Sequence, residues 1–117
     1  PIVDNIFHTD PKKIAIRTQR IDDFCTAHNI LHIDFMKIDT EGSELNVLLG
    51  ATSLLAKKRI NILQFEYGGT YLDAKIGLKD VYTLLKQNGY FIYKIAPNKL
   101  IELQKWENQF ENFRYSN

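Results

Sequence analysis

A chain of 117 residues, 44% hydrophobic and 25% charged, is one domain or part of one, too apolar for a disordered polymer and too short for a second core. Fifteen Lys and Arg against fourteen Asp and Glu leave a formal net charge of +1, and the only compact basic run, Lys57-Lys58-Arg59, reads as a solvated helix end, so no nucleic-acid partner is expected. No apolar stretch approaches the roughly 20 residues of a membrane helix, no basic-then-apolar leader is seen, and the lone Cys25 forbids an internal disulfide, so a soluble, cytoplasmic protein is expected.

The chain starts at Pro1, which suggests a longer parent. Ile14, Ala15 and Ile16 predict a buried strand over residues 13–17, with Thr18 capping the helix that follows. That helix is expected over residues 19–28, with Ile21, Phe24, Cys25 and His28 on its apolar side and Asp22 and Asp23 near its positive end. Residues 33–39 read as a strand buried on both faces, closed by a turn at residues 40–42. Leu45, Leu48, Leu49, Leu54 and Leu55 trace a helical stripe that Gly50 divides into two short helices.

A strand over residues 60–67 follows, halted by Gly68 and Gly69. Leu78, Val81, Leu84 and Leu85 mark a helix ending at Asn88-Gly89, a pair suited to a left-handed C-terminal turn. Residues 90–95 read as another strand, turned by Pro97 and Asn98 into a short hairpin partner at residues 100–103. Leu103, Trp106, Phe110 and Phe113 recur at helical spacing, predicting a tail helix packed on its own sheet or on an absent half of the domain, ahead of a stripe that binds a partner. The alternation of strands and helices implies right-handed crossovers: an α/β fold, half of a doubly wound, mostly parallel sheet with helices on both faces. One domain spans the whole chain, without repeat or linker.

In open parallel sheets, ligands bind beyond the carboxyl ends of the strands. Asp39 and Glu66 stand at two such ends. If their strands are neighbours, about 4.8 Å apart, both carboxylates face one crevice. Such a pair can take a proton from a hydroxyl, bind a divalent cation or grip a cationic cofactor, and spacing alone leaves all three open. It also leaves open a plainer account, in which Asp39, Glu41 and Glu44 favour a helix amino terminus. Cys25, His28 and His32 fall at helical offsets, but Asn29 and Ile30 end the helix before His32, so no metal site is assigned.

The run Lys37-Ile38-Asp39-Thr40-Glu41-Gly42-Ser43-Glu44-Leu45, followed by Val47-Leu48 and Gly50-Ala51, resembles the most recognisable segment of FkbM-type methyltransferases. Arg20-Ile21-Asp22-Asp23-Phe24 upstream, and Gln64-Phe65-Glu66-Tyr67 and Gly89-Tyr90 downstream, resemble the flanking segments of the same family. The resemblance implies a Rossmann-like class I methyltransferase fold of seven strands, S-adenosylmethionine as cofactor, and attack of a substrate oxygen on the sulfonium methyl group. The implied acceptor is a hydroxyl of a sugar, glycan or polyketide-like small molecule. It places Asp39 and Glu66 at strand ends as the candidate catalytic pair, Asp22 and Asp39 towards the cofactor, and Glu41, Glu44 and Tyr67 towards the substrate. Tyr67, with Tyr71 and Gly68-Gly69, can form a lip over the substrate or an ordinary polar loop.

One departure from the family is informative. None of the six glycines forms a glycine-x-glycine loop between a strand and a helix, so the backbone donors that hold the cofactor are missing. The chain therefore reads as the carboxyl-terminal portion of the domain, expected to bind S-adenosylmethionine weakly or not at all by itself. Two rivals stand beside this reading. One is a non-catalytic α/β assembly module, whose open sheet edge would favour a homo-oligomer. The other is an unrelated nucleotide-binding enzyme, disfavoured by the lack of a phosphate loop.

Overall fold

The computed structural model describes residues 13–117. Its elements are α1 (Ile21–Ala27), β1 (Ile33–Ile38), α2 (Glu44–Leu49), α3 (Thr52–Ala56), β2 (Ile60–Phe65), α4 (Thr70–Ala74), α5 (Leu78–Gln87), β3 (Tyr93–Ala96) and β4 (Lys99–Glu102), then a 3-10 turn at Asn108–Phe110. β1 and β2 pair in parallel, Ile33 opposite Ile60 and Ile38 opposite Phe65. β3 and β4 form a separate antiparallel hairpin, Tyr93 opposite Glu102. This is an α/β arrangement around a two-stranded parallel sheet, smaller than the four-strand half sheet expected. β3 joins β4 because the tight Pro97-Asn98 turn brings the chain straight back on itself.

The core forms where the helices meet the inner face of the parallel pair. Leu48 of α2, Leu55 of α3 and Val81 of α5 are completely buried, Ile38 nearly so; each such side chain contributes about 1.5–3 kcal/mol relative to exposure. The opposite face is open. Phe35 and Ile62 face each other across the strands and are more than half exposed, so β1 is buried on one face and not on two. Alternation of side chains makes this a one-sided sheet.

Other elements differ from the sequence reading for identifiable reasons. Residues 13–17 form no strand, and Ile14 and Ile16 are among the most exposed apolar side chains. A strand needs a partner for its backbone groups, and no described strand pairs with this one. α1 is capped at Arg20 instead of Thr18. Its Phe24 lies outside the core, with the ring centroid 4.3 Å from that of His28. α2 and α3 are two short helices separated at Gly50 and Ala51, and Gly89 takes the left-handed turn (φ +72°) after α5, both as the pattern predicts.

The tail is not a helix. Its aromatics do pack inward, with the Trp106 ring 5.5 Å from that of Tyr82 and 5.8 Å from that of Phe110. It is irregular, with one 3-10 turn, and hydrogen bonds to the rest of the fold hold its last residues. Tyr67 and Ser116 exchange two backbone bonds of 2.8 Å in an antiparallel bridge, and Ile95 N–H donates to the Asn117 carbonyl at 2.7 Å. The tail thus enters a groove of about 580 Å³ between β2 and β3, lined in part by Ile62, Phe65, Tyr93 and Ile95.

The segment that the sequence leaves open as a lip or a polar loop instead enters a short helix, α4, at Thr70. Tyr71 on this helix is fully buried, and its hydroxyl has no partner among the described residues. Burial, then the negative charge of Glu44, pushes its phenol above the ordinary range. Since an unpaired buried hydroxyl costs free energy, Tyr71→Phe is expected to leave stability unchanged or raise it by up to about 1 kcal/mol. Urea denaturation measures this, and a loss larger than that would reveal a partner for the hydroxyl, such as a buried water.

Candidate functional site

The site is built at the carboxyl ends of β1 and β2. β1 stops at Ile38, and residues 39–43 lead into α2 through two left-handed positions, Glu41 (φ +52°) and Gly42 (φ +103°). Gly42 is required twice over. Its φ favours glycine, and a Cβ there would sit 2.7 Å from the Thr70 carbonyl oxygen, so α4 packs directly against this turn.

Glu44 holds the turn from inside. Its side chain is 1% exposed. Its Oε1 accepts from the Thr40 N–H at 2.9 Å and the Thr40 hydroxyl at 3.1 Å, while Oε2 accepts from the Gly42 N–H at 3.0 Å. This carboxylate satisfies the backbone of the loop, with both of its oxygens engaged.

The loop and the end of β2 then bring three acids together. One carboxylate oxygen from each of Asp39, Glu41 and Glu66 lies within 4.8 Å of the others. Glu66 is held in place because its N–H donates to the Ile38 carbonyl at 3.3 Å, extending the parallel ladder by one residue. Asp39 is paired: Lys37 Nζ donates to its Oδ2 at 2.8 Å. That bond, with the charge of Asp39 and more weakly that of Glu66, raises the Lys37 ammonium above its usual range. Among the described residues, neither Glu41 nor Glu66 accepts a side-chain hydrogen bond of this kind. Two carboxylates without such a partner among the described residues, beside a paired one at the carboxyl ends of two strands, can receive a proton from a hydroxyl or attract a cationic group.

Asp22 stands apart from this cluster. Its Oδ2 accepts from the Ser53 N–H at 2.9 Å and its Oδ1 from the Leu54 N–H at 3.1 Å, so it satisfies the amino end of α3 from α1 and fastens the two helices. Asp22→Ala is expected to cost about 1–2 kcal/mol and to speed hydrogen exchange at the Ser53 and Leu54 amides. Unchanged exchange there would show that the cap is not held in solution.

Tyr67 is turned inward as well. It is 4% exposed, donates through its hydroxyl to Glu111 Oε1 at 2.9 Å and accepts from the Phe113 N–H at 2.8 Å. Burial is the main cause that pushes its phenol up to about 12. Of the six residues predicted for the site, Asp39, Glu41 and Glu66 therefore meet, while Asp22, Glu44 and Tyr67 are occupied in holding the fold.

Two participants escaped the sequence reading. Lys37 was legible in principle, because residues two apart on a strand share a face, so Lys37 and Asp39 had to be neighbours. Glu111 was not. Besides Tyr67 it receives the Leu78 N–H at 2.9 Å and the Lys79 N–H at 3.1 Å, at the amino end of α5, contacts more than 30 residues away along the chain. The ring of Tyr115, from the same tail, lies where a Cβ on Gly68 would be.

Comparison with protein families gives one finding. The family model of the methyltransferase FkbM domain matches residues 5–92, which include α1 to α5 and all three clustered acids. Neither the curated proteins nor the solved structures gave a match.

Proposed function

The chain belongs to the FkbM methyltransferase family, and from that premise we propose that it supplies the acceptor-side portion of an S-adenosylmethionine-dependent methyltransferase. The reaction is methylation of a hydroxyl oxygen on a sugar, glycan or polyketide-like small molecule. The observation that carries this reading is the convergence of Asp39, Glu41 and Glu66 within 4.8 Å at the carboxyl ends of two parallel strands, where ligands of such sheets bind.

The residues present do not by themselves fit the cofactor. Asp22, one of the two acids expected towards it, is engaged by the amides of α3, and no glycine-x-glycine loop exists in the sequence to bring backbone donors close. The chain's own contribution is at the acceptor: a carboxylate takes the hydroxyl proton as the oxygen becomes a nucleophile, and the same acids orient the hydroxyl by accepting its hydrogen bond. Residues from a longer parent or a partner chain complete the cofactor pocket.

A calorimetric titration of S-adenosylhomocysteine into the full gene product, with the 117-residue chain as control, tests this. Saturable binding by the full product and weak or no binding by the control is expected. Absence of binding by both would remove the methyltransferase reading. It would favour the assembly module instead, which draws on the exposed Phe35–Ile62 face and its capacity to receive a second copy. No helix among the described residues is long and apolar enough to cross a membrane.

A further inference from the structure

The three carboxylates of the cluster are not equivalent, and the difference lies in Lys37. In β1, Lys37 pairs in register with Gln64 of β2, and the next positions on the same side of the sheet are Asp39 and Glu66. The ammonium therefore stands in the same row as two of the three acids and one residue short of the strand end. It reaches forward to Asp39 Oδ2 at 2.8 Å. Both side chains are about half exposed, so the pair adds little to folding. Its consequence is local, because an ammonium bound to one carboxylate fixes the direction of that group and offsets its charge.

From this row we infer that Lys37 is a positioning residue: it pins Asp39 and leaves Glu66 as the strand-end carboxylate free to receive the acceptor's proton. The inference rests on the proposed methyltransferase reading for its chemistry, but its geometric content does not. Lys37 touches no reacting atom. It acts by taking Asp39 out of competition for the proton and by keeping like charges from driving the three acids apart.

The test is nuclear magnetic resonance on the 117-residue chain, following the Lys37 side-chain nitrogen and the carboxyl carbons of Asp39 and Glu66. The Lys37 titration midpoint is expected to fall in Asp39→Asn and to fall by less in Glu66→Gln. At pH 7, the Asp39 carboxyl signal should move in Lys37→Met and return close to its wild-type position in Lys37→Arg, with thermal melting alike in all four variants. An unmoved Lys37 midpoint in Asp39→Asn, or an equal fall in both acid variants, would overturn the assignment. Because no methyl transfer is measured, these outcomes stand apart from success or failure of S-adenosylhomocysteine binding.

Discussion

Glu44→Ala is expected to cost the chain about 3–5 kcal/mol of stability, enough to remove much of the folding free energy of a domain this size, about 5–15 kcal/mol. The reason is that a single buried carboxylate closes the loop between β1 and α2. Three donors, the Thr40 N–H, the Thr40 hydroxyl and the Gly42 N–H, converge on its two oxygens. Hydrogen bonds to a charged acceptor contribute about 1.5–3 kcal/mol each, and truncation leaves donors without partners next to a new void. Water entering from the loop side satisfies some of them, which keeps the expected loss below the sum. Glu44→Gln keeps the volume but turns one acceptor into a donor facing another donor, so it should lose roughly half as much. Urea midpoints for the two variants make the comparison. If Glu44→Ala unfolds within 1 kcal/mol of wild type, the three bonds are replaceable by solvent and the loop is not held by Glu44.

The same loop shows what the sequence made legible and what it withheld. The turn at residues 40–42, the acids at 39, 41 and 44, and the existence of the strand before them were readable, because they follow from local rules: a glycine at a turn, favourable charge near a helix start, an apolar run along a strand; that only one face of the strand is buried was not. Division of labour among the acids was not readable. Glu41 and Glu44 have the same side chain three residues apart, yet Glu44 is buried under the loop and Glu41 faces the cluster. That outcome depends on where α4 packs, since the Thr70 carbonyl closes over Gly42, and α4 itself was hidden in a five-residue segment too short for periodicity to mark.

Longer-range errors share a cause. Helical spacing of Trp106, Phe110 and Phe113 correctly marked side chains that pack inward, but spacing cannot register that Tyr67, Tyr82 and β3 offer hydrogen-bond partners to an irregular tail. Tyr82, for instance, donates to the Leu103 and Gln104 carbonyls at 3.3 and 3.2 Å. Tertiary bonds outweighed propensity there. At residues 13–17 the error runs the other way. The apolar run there predicts a buried strand, but burial requires a neighbour that the described residues do not provide.

In the full gene product, Glu66→Gln is expected to lower turnover by about 10²–10⁴-fold while leaving S-adenosylhomocysteine affinity within about twofold of wild type. Two properties single out Glu66 among the three clustered acids. A general base has to be available, and Asp39 is held by Lys37, whereas Glu66 accepts no hydrogen bond from the described residues. A base also has to be held still, since misplacement by about 1 Å can cost 10²-fold. Glu41 sits on a loop at φ +52°, while Glu66 continues the parallel ladder through its bond to the Ile38 carbonyl. Asp39→Asn should therefore lower turnover less than Glu66→Gln, because the amide still accepts from Lys37 and preserves the row. The measurement is kcat for both variants with saturating cofactor, alongside cofactor titrations. Equal turnover in Glu66→Gln and wild type would eliminate Glu66 as the base. A larger loss in Asp39→Asn would transfer the role to Asp39, with Lys37 then acting to hold the base in place.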